Sequence, residues 1–303
     1  MSMSIRLLLN GKKAGQEGVR AAVYSLREQG VDLEVRPTWE GGDIERLAIE
    51  ANAEGIKRII AGGGDGTVNE VASALLKHNL NHMELAVLPL GTANDFASAC
   101  EIPIEPLAAL ELACKGNPYW VDAGSANDSY FINIATAGFG AQVTATTPIA
   151  LKNFLGGGAY TLSGLVQAIN FEPFAGVVVA DDQQKLANVV VGALCNGRTA
   201  GGGQPLAPDA YIDDGLLEAF TIEDFSAADI PKVIEDIKSN IDTQFVHRRS
   251  VKRVEWHSDM HMPINLDGEP LSASNVVIEV MPRAIKLVLP DNTPVLKLRE
   301  IAS

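Results

Sequence analysis

The chain has 303 residues, of which 47% are hydrophobic and 20% charged, with a formal net charge of −14. That length is enough for one large or two medium domains with cores of their own, two being the expectation. The acidity speaks against non-specific nucleic-acid binding, which needs a basic face, and against tight electrostatic docking on anionic lipid.

The first third alternates short apolar runs with helical stripes. Ile5 to Leu9 reads as a buried strand. Val19, Ala22, Val23 and Leu26 recur at helical spacing, and Gly30 stands where a helix ends. Val31 to Val35 alternates like a strand; Ile44, Leu47, Ala48 and Ala51 form the next stripe, with Asp43 as its expected N-cap and Gly55 as its terminator. Arg58 to Ala61 runs straight into Gly62-Gly63-Gly64-Asp65-Gly66-Thr67, and Val68, Val71, Ala72, Leu75 and Leu76 follow on a helix. Leu85 to Leu88 runs into Pro89-Leu90-Gly91-Thr92-Ala93-Asn94-Asp95. This βαβαβαβ order predicts a parallel sheet covered by helices.

From about Val121 the pattern changes to short alternating runs: Tyr130 to Ile134, Val177 to Ala180, Val189 to Leu194, Leu216 to Thr221, Val251 to Trp256, Ile264 to Leu266, Val276 to Met281 and Ile285 to Leu289. They predict an antiparallel sandwich or distorted barrel. Helical interludes are expected near Tyr160 to Ile169 and Ala227 to Ile237. The first of these, after Gly156-Gly157-Gly158, could line an acyl-chain groove or simply pack as a helix. Domains of 1–123 and 124–303 follow.

Cys100, Cys114 and Cys195 form neither a zinc pattern nor a disulfide framework, so free thiols in a reducing compartment, the cytoplasm, are expected. The N-terminus has too short an apolar run for a signal peptide, and no stretch approaches the ~20 apolar residues that span a bilayer. Any membrane contact is then peripheral. The basic run His247-Arg248-Arg249 reads as a solvated strand edge. His257 and His261, four apart in a strand region, stand too far apart to ligate one metal easily.

Gly62 to Thr67 is neither a Walker A loop nor a G-x-G-x-x-G fingerprint. Glycines allow a tight turn and close ligand approach, and amides at a helix N-terminus attract phosphate. A carboxylate there, Asp65, would repel phosphate unless it binds Mg²⁺ or orients a hydroxyl. Thr67 can donate to a phosphate. The turn at Gly91 and the segment Thr38-Trp39-Glu40 also follow strands, where ligands collect in parallel sheets. Asp267-Gly268-Glu269 and Asp213-Asp214-Gly215 read first as turns.

These motifs together resemble the diacylglycerol kinase catalytic-domain family, in particular YegS-type bacterial lipid kinases, over nearly the whole chain. The matching segments are Gly63 to Glu70, Pro89 to Phe96, Phe131 to Gly140, Asn196 to Gly203, Asp213 to Leu217 and Leu266 to Leu271. The resemblance implies an N-terminal α/β domain like those of phosphofructokinases and NAD kinases, and a C-terminal antiparallel β-sandwich. It implies an ATP-dependent kinase acting on a hydroxyl of a glycerolipid, with phosphatidylglycerol and diacylglycerol as candidates. By position, Thr38, Gly64, Asp65, Gly66, Thr67, Val68, Asn69, Glu70 and Thr92 would contact nucleotide, with Asn10 a looser match. Glu269 would accept the proton, with Asp267 sharing that role or holding it in place, and Mg²⁺ would bridge the phosphates, with Asp65 as its candidate ligand. A second, structural Mg²⁺ or Ca²⁺ would sit on Asp214 and the carbonyls of Tyr211 and Leu216. An NAD kinase shares the Gly-Gly-Asp-Gly-Thr turn but fits Gly91 to Phe96 less well. A non-catalytic nucleotide or lipid sensor is the alternative outside enzymes.

Overall fold

The computed structural model describes residues 3–139, 141, 172–239 and 242–302. The expected helix near Tyr160 to Ile169 lies outside them. The chain falls into two compact units. One comprises residues 1–123, 212–214 and 282–303; the other comprises 124–211 and 215–281.

In the first unit, strands β1 (Ile5–Leu9), β2 (Leu33–Pro37), β3 (Arg58–Gly63) and β4 (Glu84–Pro89) are parallel, in the order β4-β3-β1-β2. The helices are α1 (Glu17–Glu28), α2 (Asp43–Ala53), α3 (Asp65–Lys77), α4 (Asp95–Ala99) and α5 (Pro106–Lys115). All of β1 is buried, as a covered parallel strand requires. Arg6 is the one charge in that run; its guanidinium meets Glu34 at 2.6 Å and Glu54 at 2.5 Å. Burial without such partners would be costly.

Gly30 (φ 86°) and Gly55 (φ 77°) end α1 and α2 in the left-handed region, as their positions predicted. Asp43 is not the N-cap of α2. Gly42 takes that place, and Asp43 lies in the first turn with its carboxylate accepting from the amides of Trp39 and Glu40. The expected second strand is shifted C-terminally, to Leu33–Pro37.

The second unit contains most of β5 to β15: β5 (Pro118–Ala126), β6 (Ser129–Phe131), β7 (Ile134–Gly138), β8 (Phe174–Ala180), β9 (Gln183–Cys195), β10 (Thr199–Ala200), β11 (Gln204–Pro205), β12 (Leu217–Glu223), β13 (Val246–Val251), β14 (Arg253–Leu266) and β15 (Glu269–Val288), with α6 (Ile230–Ser239). Strands β5 and β15 each run from one unit into the other, β15 ending parallel to β4 at Lys286 and Leu287. Within the second unit β9 pairs with both β7 and β8, and β14 pairs with the same two, so the four close into a circuit. Ala135, Leu194, Trp256, Ile264 and Val276 form a core on its inner face. Val191, Phe220, Ile222, Val233 and Val246 form another.

The second unit does not run to the C-terminus. The tail returns to the first unit, where Asp213 accepts from the amides of Lys297, Leu298 and Arg299.

Candidate active site

The parallel register aligns the C-terminal ends of four strands: Leu9 pairs with Pro37 and Gly62, and Gly63 with Pro89. The ladder continues one step beyond, through Thr38 N to Leu9 O (2.9 Å), Asn10 N to Gly62 O (2.8 Å) and Leu90 N to Gly63 O (2.7 Å). Asn10, Thr38, Gly64 and Gly91 therefore open from one edge of the sheet, where such sheets bind ligands. A cavity of about 460 Å³ lies there, lined in part by Asn10, Lys12, Thr38, Trp39 and Glu70. Its size falls in the ligand-pocket range of roughly 300–1,000 Å³.

The turns after β3 and β4 touch through glycine. A Cβ on Gly91 would lie 2.6 Å from the Gly64 Cα, and one on Gly64 would lie 3.1 Å from the Gly91 Cα. Gly63 has its own reason: a Cβ there would meet Thr67 Oγ1 at 2.2 Å. α3 begins at Asp65, so the amides of its first turn lack helical partners and favour anions. Val68 is the exception among the expected nucleotide contacts. Its side chain is buried and its amide donates to Gly64 O at 3.1 Å, so it closes the helix instead. Asn69 and Thr67 are buried, whereas Gly66, Glu70 and Thr92 are exposed.

Asp65 Oδ1 accepts from the Phe96 amide at 3.2 Å. Burial, then the nearby Asp95 carboxylate, push its pKa up against the pull of that amide. Asn94 (φ 52°) shapes the turn before it by accepting from Gly91 N at 2.8 Å and donating to Gly91 O at 3.1 Å. A desolvated carboxylate beside a second one suits a divalent cation, so Asp65 fits the Mg²⁺ that a nucleotide would bring.

In the second unit three distant segments meet around one hairpin turn. Asp267 (φ 50°) and Gly268 (φ 105°) form its two left-handed positions. The Asp267 carboxylate accepts from the amides of Ile132 (2.7 Å), Asn133 (3.0 Å) and Ile134 (2.7 Å). These bonds tie the turn that carries Glu269 to the backbone of Ile132 to Ile134. Asn196 Nδ2 donates to Ile132 O at 2.7 Å, and Asn133 Nδ2 donates to Thr199 O at 3.0 Å. Glu269 itself is exposed at the start of β15. Asn133 and Asn196 were visible in the sequence only as parts of motifs; their support of the Glu269 turn needed the fold.

In the loop expected to hold the second cation, the Asp213 carboxylate accepts from the tail amides of Lys297, Leu298 and Arg299. Asp214 Oδ2 lies 3.4 Å from Lys297 Nζ, so a cation on Asp214 would compete with that ammonium. Tyr211 and Leu216 flank this loop in sequence. Among the described residues, no three His, Cys, Asp or Glu side chains gather as for a metal.

Arg248 corrects the reading of the basic run as solvated. Its side chain stacks on Phe220, donates to Ile237 O at 2.9 Å, and has its pKa lowered by burial. His257 meets Glu255 and Asn275, at 3.0 Å each. All three cysteines are buried and outside disulfides, and burial raises the Cys195 thiol to about 12.

Residues 4–126 match the family described as "Diacylglycerol kinase catalytic domain", and residues 133–289 match "YegS C-terminal NAD kinase beta sandwich-like domain". A protein of Shewanella frigidimarina named "Probable lipid kinase YegS-like" is 48% identical over 96% of both chains. One of Chromohalobacter salexigens with the same name is 46% identical over 96% of this chain and 94% of its own. The fold is similar to that of a solved diacylglycerol kinase of Bacillus anthracis, with a TM-score of 0.73, 22% identity, and coverage of 96% and 98% of the two chains.

Proposed function

The chain belongs to the YegS-like lipid kinases, within the family of the diacylglycerol kinase catalytic domain, and from that premise we propose that it transfers the γ-phosphoryl group of ATP to a hydroxyl of a glycerolipid. Phosphatidylglycerol and diacylglycerol are the candidates. The observation that carries the reading is the joined pair of turns at Gly64 and Gly91, beside a cavity lined by Thr38, Lys12 and Glu70.

Amides of the first turn of α3 hold phosphate oxygens, and the Lys12 ammonium offsets their charge. Asp65 and Thr92 stand at the same edge. A divalent cation held at Asp65 would neutralise charge on the phosphates. The lipid hydroxyl oxygen attacks the γ-phosphorus, the bond to the ADP oxygen breaks, and the hydroxyl proton passes to Glu269. Asp267 fixes the backbone from which Glu269 projects. The reading places the protein in the cytoplasm, in peripheral contact with a membrane.

The test is a labelled-ATP assay on dispersed lipids and on NAD, with wild type and Glu269→Gln. Label in a glycerolipid is expected, with kcat lowered about 100-fold or more in the variant and KM for ATP unchanged. Label in NAD and in no lipid would reject the proposal. Equal rates for the two proteins would remove Glu269 as the base.

A further inference from the structure

Trp39 is 95% exposed, more than any other large hydrophobic residue described. An indole carries one of the largest apolar surfaces of any side chain and ordinarily buries most of it. Trp39 nevertheless stands in solvent at the wall of the 460 Å³ cavity, with Asn10, Lys12, Thr38 and Glu70. An aromatic face left open beside a ligand-sized space points to a flat partner that enters it.

The main chain under the indole is fixed. The amides of Trp39 and Glu40 both donate to Asp43 Oδ2, at 2.7 Å and 3.1 Å. One residue earlier, Thr38 N donates to Leu9 O at 2.9 Å, and Gly11 N donates to Thr38 Oγ1 at 3.3 Å. Gly11 has no room for a side chain, since a Cβ there would lie 2.1 Å from Thr38 O. The loops after β1 and β2 are thus locked together. Ordering on binding is then confined to the side-chain torsions of the indole, which keeps its entropic cost low.

The strand register gives Trp39 its distance from the phosphate turns. Pro37 and Gly62 both stand opposite Leu9, one on each side of β1. Two strand spacings, about 10 Å, separate the ends of β2 and β3. Trp39 and Gly64 each lie two residues beyond those positions. Phosphates on the first turn of α3 therefore lie across from Trp39 by about the reach of a ribose with its α-phosphate.

We propose that Trp39 is the platform on which the nucleobase of ATP stacks while the phosphates reach Gly64. The inference rests on the proposed ATP-dependent activity and assigns a residue to the end of the nucleotide that the phosphate turns leave unheld. Stacking uses the π-face that every base has, so this platform grips adenine without reading its edges. Insertion at a lipid interface, the other use of an exposed tryptophan, fits poorly. The indole shares its cavity with the carboxylates of Glu40 and Glu70, which an anionic bilayer would repel.

The full chain carrying Trp120→Phe and Trp256→Phe keeps Trp39 as its tryptophan. ATP with Mg²⁺, and AMP, should quench its emission; inorganic tripolyphosphate, which has no base, should not. By calorimetry, Trp39→Ala in the otherwise native chain should raise Kd for ATP about tenfold and leave Kd for tripolyphosphate unchanged. Trp39→Tyr should restore most of the ATP affinity. Equal weakening of both ligands in Trp39→Ala would show a structural role and overturn the assignment. ATP binding without a quench, and with equal affinity in Trp39→Ala, would overturn it too and leave the kinase reading intact. An emission shift on phosphatidylglycerol vesicles that ATP does not produce would overturn it in favour of a membrane contact. If neither native protein nor variant binds ATP, the ATP-dependent reading fails and the platform with it. Should the fluorescence variant fail to fold, calorimetry on Trp39→Ala decides alone.

Discussion

Asp65, Asp267 and Asp43 show three uses of one side chain. Asp65 is desolvated with its pKa raised, so its ionised form weakens the fold, and stability falls as pH climbs from the ordinary carboxylate value through the raised one. Asp65→Asn should therefore melt no lower than wild type at pH 7 while losing kinase activity; a clear drop in Tm would show the carboxylate to be structural. Asp267 is the reverse, since three amides stabilise its charge. Asp267→Ala should cost about 3 kcal/mol or more, read by denaturant unfolding, and should lower kcat as the Glu269 turn loosens. Asp43 is held down to about 2, first by Arg46 and then by the Trp39 and Glu40 amides. Its stabilisation is present above the ordinary carboxylate pKa and disappears as pH falls towards 2. Asp43→Asn should flatten the pH dependence of stability in that window and raise KM for ATP, because the segment it pins lines the 460 Å³ cavity.

At the scale of elements, the parallel strands carry the argument because their ends coincide. A one-residue slip of β3 against β4 would separate Gly64 from Gly91 and exchange side chains between the two covered faces of the sheet. Gly91→Ala tests the contact. Its Cβ would press on the Gly64 backbone, so the two turns must spread. KM for ATP should rise about tenfold with little change in Tm. Unchanged nucleotide affinity by calorimetry would show that the approach of these turns is immaterial to binding. The glycine runs were readable as a tight turn from the sequence. The particular demand on each glycine was not, because it comes from Thr67 in one case and from another strand's loop in the next.

For the whole molecule, the consequential feature is the return of the tail to the first unit. Val295 and Leu296 are buried there, and Thr293 Oγ1 donates to Cys100 O at 2.8 Å. Ending the chain at Pro290 should destabilise the protein by roughly 3 kcal/mol or more, from the loss of two buried aliphatic side chains alone; an unchanged melting curve would contradict the packing described. No described helix is long and apolar enough to cross a membrane. Local periodicity and turn chemistry determined most of this fold: the alternation of strands and helices up to β4, the shift to antiparallel runs after Val121, and the turns at Gly62, Gly91 and Asp267. Those features depend on residues a few positions apart, which sequence spacing records directly. Tertiary structure alone decided that Asp267 clamps Ile132 to Ile134 and that Asp213 anchors the tail. Each of these joins segments that chain distance separates, and only a register between strands can bring such segments within reach.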